Sequence, residues 1–328
     1  MPSPSGSPPV VAVLCEQASD RPPGLHGLAV DFRFCAADGL AAALCGARAL
    51  LLWDYFSTAV RDVWAHARSL EWIHVTAAGV DTLLFEELRD SDVVVTNARG
   101  VFDRPIAEYV LGAVIAYAKD SAAGYRLQAD HRWQHRETRS ITGARAMVVG
   151  TGGIGRETAR LLRAAGLEVR GVGRRPAVTD PDFGEVIDGT ALRAEVGWCD
   201  HLVIAAPLTE QTRGLVNADV LAAMNADAHL VNVARGPIVD EAALIAALTE
   251  GRIGGATLDV FDVEPLAAEH PLWDVPNATI TAHLSGDVVG WRDVLAAQFA
   301  DNVQRWLAGD PLLNVVDKRL GYVPGVGR

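Results

Sequence analysis

Arg235, Glu264 and His283 stand in three separate segments of the chain, and their residue types could together catalyse proton transfer on a carboxylate-bearing substrate. A histidine donates or accepts a proton near neutral pH. A glutamate hydrogen-bonded to the other ring nitrogen would fix the imidazole and favour the imidazolium. An arginine can bind a carboxylate with two parallel hydrogen bonds and polarise a carbonyl. Taken singly, each residue also has an ordinary structural explanation.

Each of these segments begins at or just after the end of a predicted strand. The segments are Val231–Asp240, Thr257–Leu266 and Thr281–Gly286. In an open parallel sheet, the carboxyl ends of the strands form the edge where ligands bind. The spacing therefore predicts that the three polar side chains lie at the same edge of one sheet.

A glycine-rich turn follows another predicted strand and opens a predicted helix, which is the context that a dinucleotide-binding fingerprint requires. In that role Gly150 permits the tight turn, Gly152 lets the backbone approach a pyrophosphate, and Gly155 lets helix and strand pack closely. The N–H groups of Gly153 and Ile154 are then expected to face the phosphates. A β–α turn without a ligand is the alternative.

The second strand of this unit ends in Gly173-Arg174-Arg175, where an NAD site usually has an aspartate or glutamate. A glycine leaves room there, and a guanidinium can pair with the 2′-phosphate of NADP. We therefore expect NADP(H) to be the preferred cofactor, with NAD(H) possible. The alternative is that both arginines are solvated surface residues.

Short β-branched runs alternate with Ala- and Leu-rich segments, which predicts parallel sheets built from βαβ units. The predicted strands of a first sheet are Val10–Leu14, Val30–Phe34, Ala49–Trp53, Trp72–Val75 and Val93–Thr96. Those of a second sheet are Ala146–Val149, Glu168–Val172, His201–Ala205, His229–Val233, Gly255–Leu258 and Thr279–Thr281. Eleven strands favour two sheets, divided between Asn97 and Ile106. The predicted helices are Pro105–Lys119, Arg156–Ala165, Ala242–Leu248 after an N-cap at Asp240, and Trp291–Ala308.

The length, the amino-acid composition and the net charge of the chain exclude some classes of protein. The chain has 328 residues, 50% of them hydrophobic, and a formal net charge of −12. Its length favours two domains, at roughly 150 residues per domain. An acidic surface repels phosphate groups, which argues against a general nucleic-acid or anionic-membrane binder.

The cysteines and the N-terminal residues indicate the cellular compartment of the protein. Cys15, Cys35, Cys45 and Cys199 form no metal-like cluster, so we expect no metal and interpret them as reduced core residues of a cytoplasmic protein. Residues 1–9 are rich in proline and serine, have no secretory-signal pattern and are expected to form a frayed tail.

The order and separation of these motifs resemble the D-isomer-specific 2-hydroxyacid dehydrogenase family, over the stretch from Trp72 to Ser285. The resemblance implies that Arg235, Glu264 and His283 are the catalytic arginine, glutamate and histidine. It also implies that backbone N–H groups in the turn Ala78-Gly79 bind the substrate carboxylate together with Arg235, and that Val233 and Asp259 contact the cofactor, Asp259 facing the nicotinamide carboxamide.

The same resemblance implies an α/β fold of two doubly wound parallel-sheet domains, with the Rossmann nucleotide domain inserted into a flavodoxin-like substrate domain. We expect the substrate domain to comprise residues 1–100 and 291–328, and the nucleotide domain residues 101–290. A homodimer is implied through the helix Pro105–Lys119 and the arm that follows. Trp133 in that arm resembles a residue that reaches a neighbouring active site, with ordinary interface packing as the alternative.

The implied activity is NAD(P)-dependent reduction of a small 2-oxo acid to a D-2-hydroxy acid, and the reverse, as in glyoxylate/hydroxypyruvate reductases. Formate dehydrogenases resemble the chain but have glutamine where it has Glu264, and oxidation of phosphite stays open. A nucleotide-sensing, corepressor-like binding protein is a further alternative. The loop 53–58 is aromatic and acidic, with no basic residue before Arg61, which argues against a phosphorylated substrate.

Overall fold

The computed structural model describes residues 7–324. Within them the chain forms two compact units: unit 1 comprises residues 7–101 and 288–324, and unit 2 comprises residues 102–287. Of the expected N-terminal tail, residues 1–6 lie outside the described residues. No helix within residues 7–324 combines the length and the apolar character that crossing a membrane requires.

Unit 1 is built around a parallel sheet of five strands. Its elements are β1 (Val10–Leu14), β2 (Asp31–Cys35), α1 (Leu40–Leu44), β3 (Ala49–Leu52), α2 (Ala59–Asp62), β4 (Trp72–Val75), α3 (Glu86–Asp90), β5 (Val94–Asn97) and α10 (Trp291–Ala308). The strand order is β2-β1-β3-β4-β5, the flavodoxin-like order. The central strands β1, β3 and β4 are apolar along nearly their whole length because helices cover both faces of such a sheet.

Unit 2 contains an eight-stranded sheet. Its elements are α4 (Asp103–Ala118), α5 (Ser121–Ala129), β6 (Arg145–Val149), α6 (Gly153–Ala164), β7 (Glu168–Gly173), β8 (Ala177–Asp180), β9 (Gly184–Asp188), α7 (Leu192–Glu195), β10 (His201–Ile204), α8 (Ala218–Ala223), β11 (His229–Asn232), α9 (Glu241–Thr249), β12 (Gly255–Leu258) and β13 (Ala278–Ile280).

The strand order of unit 2 is β13-β12-β11-β10-β6-β7-β9-β8. This is the Rossmann order, in which the chain direction around the sheet reverses between β6 and β10. The predicted fold class is therefore confirmed. All pairings are parallel except that of β8 with β9, which adds an antiparallel strand at one edge.

The prediction of eleven strands is wrong by two, since β8 and β9 were not recognised. Strand β8 has no buried residue, so it lacks the apolar alternation that identifies a strand in a sequence. Helix α10 has the predicted bounds, whereas α4 begins at Asp103 rather than at Pro105. The N-cap at Asp240 is confirmed, because its carboxylate accepts the Ala243 N–H at 3.0 Å.

The cysteines agree only partly with their interpretation as core residues. All four are free thiols, and Cys15, Cys35 and Cys199 are buried. Cys45 is exposed, so its assignment to the core is wrong. It is the C-cap residue of α1, where the helix ends at the surface.

Three histidines are buried in the two sheets: His74 in β4, and His201 and His229 in β10 and β11. The Nδ1 atom of His74 lies 2.8 Å from Thr96 Oγ1, and its ring packs against Phe299. Burial lowers the pKa of His74 to about 3 and that of His201 to about 4. Each ring is therefore neutral in the folded protein near neutral pH.

These histidines should make the fold acid-sensitive. An unfolded histidine takes up a proton below pH 6.5, whereas His74 in the folded protein does so only near pH 3, so stability is lost as pH falls from 6.5 towards 3. By pH 5 one such histidine costs about 2 kcal/mol. We predict that His74→Leu removes about that much of the loss between roughly pH 7.5 and pH 5, measured by urea unfolding. His66→Leu, at an exposed site, should leave the wild-type pH dependence; equal pH dependence in both variants would contradict the assignment.

Candidate functional site

The glycine-rich turn lies at the switch point between β6 and β10, and two of its glycines are required by close backbone contacts. Gly150 has φ +111°, and a Cβ there would come within 2.6 Å of the Ala205 carbonyl oxygen in the loop after β10. A Cβ on Gly155 would overlap the Gly150 carbonyl oxygen. Both glycines therefore hold the start of α6 close to the end of β6.

Of the remaining fingerprint positions, Gly152 leaves room for a ligand, whereas the Asp103 carboxylate fills the space where a Gly153 side chain would lie. A Cβ built on Gly152 would meet nothing within 4 Å, so the backbone is open to a close approach. Gly153 and Ile154 are the first two residues of α6, where helix N–H groups have no partner within the helix. These residues fit a dinucleotide cofactor, whose pyrophosphate would be held at this helix end.

The segment after β7 presents two guanidiniums. Gly173 is the last residue of β7, and Arg174 and Arg175 follow it as exposed residues. In register, Gly173 lies beside Asp188 of β9. The side chain of Asp188 is occupied by the Thr190 N–H and hydroxyl, which lower its pKa.

Other arginines near the fingerprint are held by carboxylates. Arg156 of α6 bonds Asp180 at 3.1 Å and Asp182 at 2.7 Å, and Arg160 bonds Asp182 at 2.8 Å. Burial opposes ionisation of both aspartates, but the arginine bonds leave their pKa values below the ordinary value. The hairpin β8–β9 is thereby fixed to α6.

His283 and Glu264 form a hydrogen-bonded pair at the carboxyl edge of the sheet. Their Nδ1 and Oε2 atoms are 2.7 Å apart, and Glu264 Oε1 accepts the Phe261 N–H at 2.9 Å. Burial alone would raise the pKa of Glu264, but the bonds from His283 and Phe261 and the charge of Arg235 hold it below its usual value. The carboxylate is therefore ionised and orients the ring through Nδ1.

Asp259 holds the loop that carries His283. This fully buried carboxylate accepts the Leu284 N–H on Oδ1 and the Ser285 N–H on Oδ2, both at 2.9 Å. Its Oδ1 also accepts the Thr281 hydroxyl at 2.6 Å, and its backbone carbonyl accepts the His283 N–H at 2.9 Å. His283 itself has φ +51°, a conformation that a non-glycine residue keeps only where its surroundings enforce it.

Arg235 follows β11, in a loop that packs directly on the loop after β12. The side chain of Asn232 spans the turn, accepting the Ala234 N–H at 3.1 Å and donating to the Arg235 carbonyl at 3.0 Å. A Cβ on Gly236 would overlap the Phe261 carbonyl group. Only glycine fits there, and this contact places Arg235 near the segment containing Glu264.

The structure thus brings Arg235, Glu264 and His283 to one edge of unit 2. Val233 lies directly after β11 with a buried side chain, and its N–H donates to the Ile204 carbonyl at 3.2 Å. Within residues 7–324, no group of three or more His, Cys, Asp or Glu side chains could hold a metal ion.

Ala78 and Gly79 lie in unit 1, in the loop after β4. The carbonyls of this turn are fixed by β5 and the residue after it: Ala77 accepts the Ala98 N–H at 3.0 Å, and Ala78 accepts the Asn97 side-chain amide at 2.5 Å. The turn therefore lies at the carboxyl edge of the unit 1 sheet.

Unit 1 also contains an arginine side chain whose position beside the loop after β3 was not predicted from the sequence. The Arg292 guanidinium lies 5.8 Å from the Trp53 ring centroid and 5.6 Å from that of Trp291, and it bonds Asp20 at 3.1 Å. Tyr55 packs edge-on against Trp291. The loop after β3 is itself without a basic residue, but a guanidinium from the start of α10 adjoins it.

Comparisons with known proteins identify the protein family. Residues 111–285 match the model of the D-isomer specific 2-hydroxyacid dehydrogenase, NAD binding domain. Glyoxylate/hydroxypyruvate reductase A of Arabidopsis thaliana is 31% identical over 76% of this chain and 79% of its own length.

Two solved structures are similar over nearly the whole chain. A D-isomer specific 2-hydroxyacid dehydrogenase from Xanthobacter autotrophicus Py2, in complex with NADPH and MES, is 34% identical with a TM-score of 0.81, covering 97% of this chain and 100% of that one. An NADPH-dependent glyoxylate/hydroxypyruvate reductase from Sinorhizobium meliloti, in complex with NADP and sulfate, is 27% identical with a TM-score of 0.82, covering 96% and 100%. The chain belongs to the D-isomer-specific 2-hydroxyacid dehydrogenase family.

Proposed function

We propose that the protein reduces a small 2-oxo acid to the D-2-hydroxy acid with NADPH, and catalyses the reverse reaction. The observation that carries the proposal is the 2.7 Å bond between His283 Nδ1 and Glu264 Oε2 at the carboxyl edge of the Rossmann sheet. Reduction of a carbonyl by hydride creates an alkoxide that must take up a proton, and a histidine held in this way can supply it.

In this reaction the residues of the site have distinct roles. A bound nicotinamide supplies or accepts the hydride. Glu264 holds the ring through Nδ1 and stabilises the imidazolium, so Nε2 is the atom that we assign to proton transfer with the substrate oxygen. Arg235 binds the substrate carboxylate and polarises the carbonyl.

Unit 2 is proposed to hold the cofactor at its glycine-rich turn. The turn at Ala78 and Gly79 remains our candidate for carboxylate binding through backbone N–H groups. Val233 and Asp259 remain candidates for cofactor contacts. For Asp259 a second role follows from its bonds to Leu284 and Ser285, which position the histidine loop.

The preference for NADPH rests on the segment after β7. Arg174 and Arg175 are exposed directly after the end of the strand, where a cofactor ribose would lie. Two structural relatives are described as complexes with NADPH or NADP, which supports the same preference here.

The three alternative functions, a corepressor-like binding protein, a formate dehydrogenase and a phosphite dehydrogenase, are not favoured. A corepressor-like binding protein does not require a complete catalytic trio, and formate dehydrogenases have glutamine in place of Glu264. Phosphite oxidation lacks any specific observation in its support.

We further propose a homodimer in the cytoplasm. None of the residues of α5 is buried within the described chain, and the following arm carries a fully exposed Trp133. Exposed aromatic side chains such as Tyr125 and Trp133 are enriched at protein interfaces, and the helix α4 precedes them. Four free thiols agree with a reducing compartment.

The experiment is an assay of purified protein with NADPH and a panel of 2-oxo acids that includes glyoxylate and hydroxypyruvate. We expect turnover, a D-configured product where the product is chiral, and a loss of kcat on the order of 10²–10⁴-fold in His283→Ala with NADPH affinity nearly unchanged. His270→Ala, which breaks a second His–Glu pair at 3.0 Å, is the matched control and should retain turnover. Absence of turnover across the panel, or near-normal turnover in His283→Ala, would contradict the proposal.

Cofactor choice is tested separately. We expect kcat/KM to favour NADPH over NADH by roughly ten- to a hundredfold, because charge-assisted bonds to a 2′-phosphate contribute about 1.5–3 kcal/mol each. Arg174→Ala should remove most of that preference without changing the NADH values. Arg193→Ala, an exposed arginine on α7, is the control and should change neither. A wild-type preference for NADH would refute the cofactor assignment alone.

A further inference from the structure

The His283 loop, residues 281–286, is contacted by the start of helix α4 at both of its ends. Gly286 lies so close to this helix that a Cβ built on it would come within 2.7 Å of the Phe102 ring, directly before α4. At the other end of the loop, the side-chain oxygens of Thr281 and Tyr109 are 2.6 Å apart. Helix α4 therefore flanks the catalytic histidine on both sides along the chain.

The contact with Tyr109 begins a chain of three hydrogen-bonded side chains. Thr281 donates its hydroxyl proton to Asp259 Oδ1 at 2.6 Å. A threonine hydroxyl has a single proton to donate, so the bond between Thr281 and Tyr109 must be donated by the tyrosine. The direction of the chain is therefore fixed, from Tyr109 through Thr281 to the carboxylate of Asp259.

Tyr109 is well suited to the donor end of this chain. Its side chain is half-buried, and burial raises its pKa to about 12, with the negative charge of Asp259 acting in the same direction. The phenol therefore stays protonated near neutral pH. A hydroxyl that accepts one hydrogen bond becomes a stronger donor of its own, so Tyr109 strengthens the bond from Thr281 to Asp259.

Asp259 transmits this constraint to the backbone of the loop. Its carboxylate oxygens accept the Leu284 and Ser285 N–H groups, both at 2.9 Å. These two residues directly follow His283, whose left-handed backbone has to be enforced by its surroundings. A carboxylate that rotated or moved would release both N–H groups, so the position of the imidazole depends on the chain that begins at Tyr109.

We propose that Tyr109 is a positioning residue for proton transfer. Acting through Thr281 and Asp259, its hydroxyl fixes the His283 loop to helix α4 and so holds the imidazole in place for the reaction. The inference rests on the proposed function, because it takes His283 to be the proton donor.

The first test needs neither cofactor nor substrate. Tyr109→Phe removes only the hydroxyl, and we expect the amide hydrogens of Leu284 and Ser285 to exchange with solvent roughly tenfold faster, because Asp259 holds them less firmly. Hydrogen exchange of the free, full-length protein, followed by mass spectrometry of the peptide that contains both residues, measures this rate. Unchanged exchange would overturn the proposal.

Tyr117→Phe is the matched control. Tyr117 lies about two turns further along the same helix, and its hydroxyl donates to the Asp227 carbonyl at 2.8 Å, just before β11. The control therefore also removes one tyrosine hydrogen bond from α4, but at the opposite edge of the sheet. It should leave the exchange of Leu284 and Ser285 unchanged. Equally fast exchange in both variants would indicate a general loosening of α4 and would refute a specific role of Tyr109.

The second test measures the reaction itself. In single turnovers with NADPH and the best 2-oxo acid, Tyr109→Phe should oxidise NADPH roughly tenfold more slowly at saturation, since a displaced proton donor slows the chemical step. The half-saturating concentration of the acid should change less than about twofold, because the chain ends at the His283 loop and not at Arg235. Tyr117→Phe should change neither quantity. Weaker binding of the acid with an unchanged rate would make Tyr109 a substrate-binding residue and contradict the proposal.

A double-mutant cycle tests the path through Thr281, and it also serves should Tyr109→Phe fold poorly. Thr281→Val removes the middle hydroxyl, whereas Thr281→Ser keeps it and should retain most of the rate that the valine variant loses. If Tyr109 acts through Thr281, adding Tyr109→Phe to Thr281→Val should slow the reaction no further. Losses that multiply would show that Tyr109 acts by another route, against the proposal.

The results separate this inference from the proposed function. If the wild type reduces 2-oxo acids and Tyr109→Phe changes neither the exchange nor the single-turnover rate, the inference is wrong and the proposed function stands. Faster exchange without a slower reaction also contradicts the inference, because Tyr109 would then hold the loop without affecting proton transfer. If the wild type reduces no 2-oxo acid, the proposed function fails, and the assignment of Tyr109 fails with it.

Discussion

The buried carboxylate of Asp259 is the constraint on which the catalytic edge depends. It accepts three donors from the loop after β13, and its own carbonyl accepts the His283 N–H. Burying a carboxylate costs free energy unless its oxygens are fully hydrogen-bonded. If the loop moved away, the Asp259 carboxylate would be left buried without its hydrogen-bond donors, so the loop is held in this arrangement. These bonds enforce the left-handed backbone conformation of His283, which places its ring within hydrogen-bond distance of Glu264.

Close backbone contacts at glycines complete the positioning. Gly150 and Gly155 hold the start of α6 against the end of β6, and Gly236 lets the loop after β11 pack on the loop after β12. In each case a Cβ would collide with a main-chain group that has no side-chain freedom to move away. The glycine-rich turn and the catalytic loops are therefore both fixed by close contacts between a glycine and a neighbouring main-chain group, at the carboxyl edge of one sheet.

Much of this could be predicted from the sequence, since the informative signals are local. The strand–turn–helix context of Gly150 to Gly155, the strand ends that precede Arg235 and His283, and the N-cap at Asp240 are each contained in a few consecutive residues. The acceptor role of Asp259 could not be predicted, because its donors lie 22 to 26 residues away in the sequence. The contact of Asp103 with Gly153 is hidden for the same reason, and β8 lacks the apolar pattern that would have identified it.

The central claim is that Glu264 stabilises the protonated His283 during reduction, and the pH dependence of kcat/KM tests it most directly. With NADPH and the best 2-oxo acid, the wild-type rate should fall as pH rises, because the proton donor is lost. In Glu264→Gln, which keeps a hydrogen-bond acceptor but removes the charge that stabilises the imidazolium, that fall should move to lower pH. Superimposable profiles for the two proteins would contradict the claim.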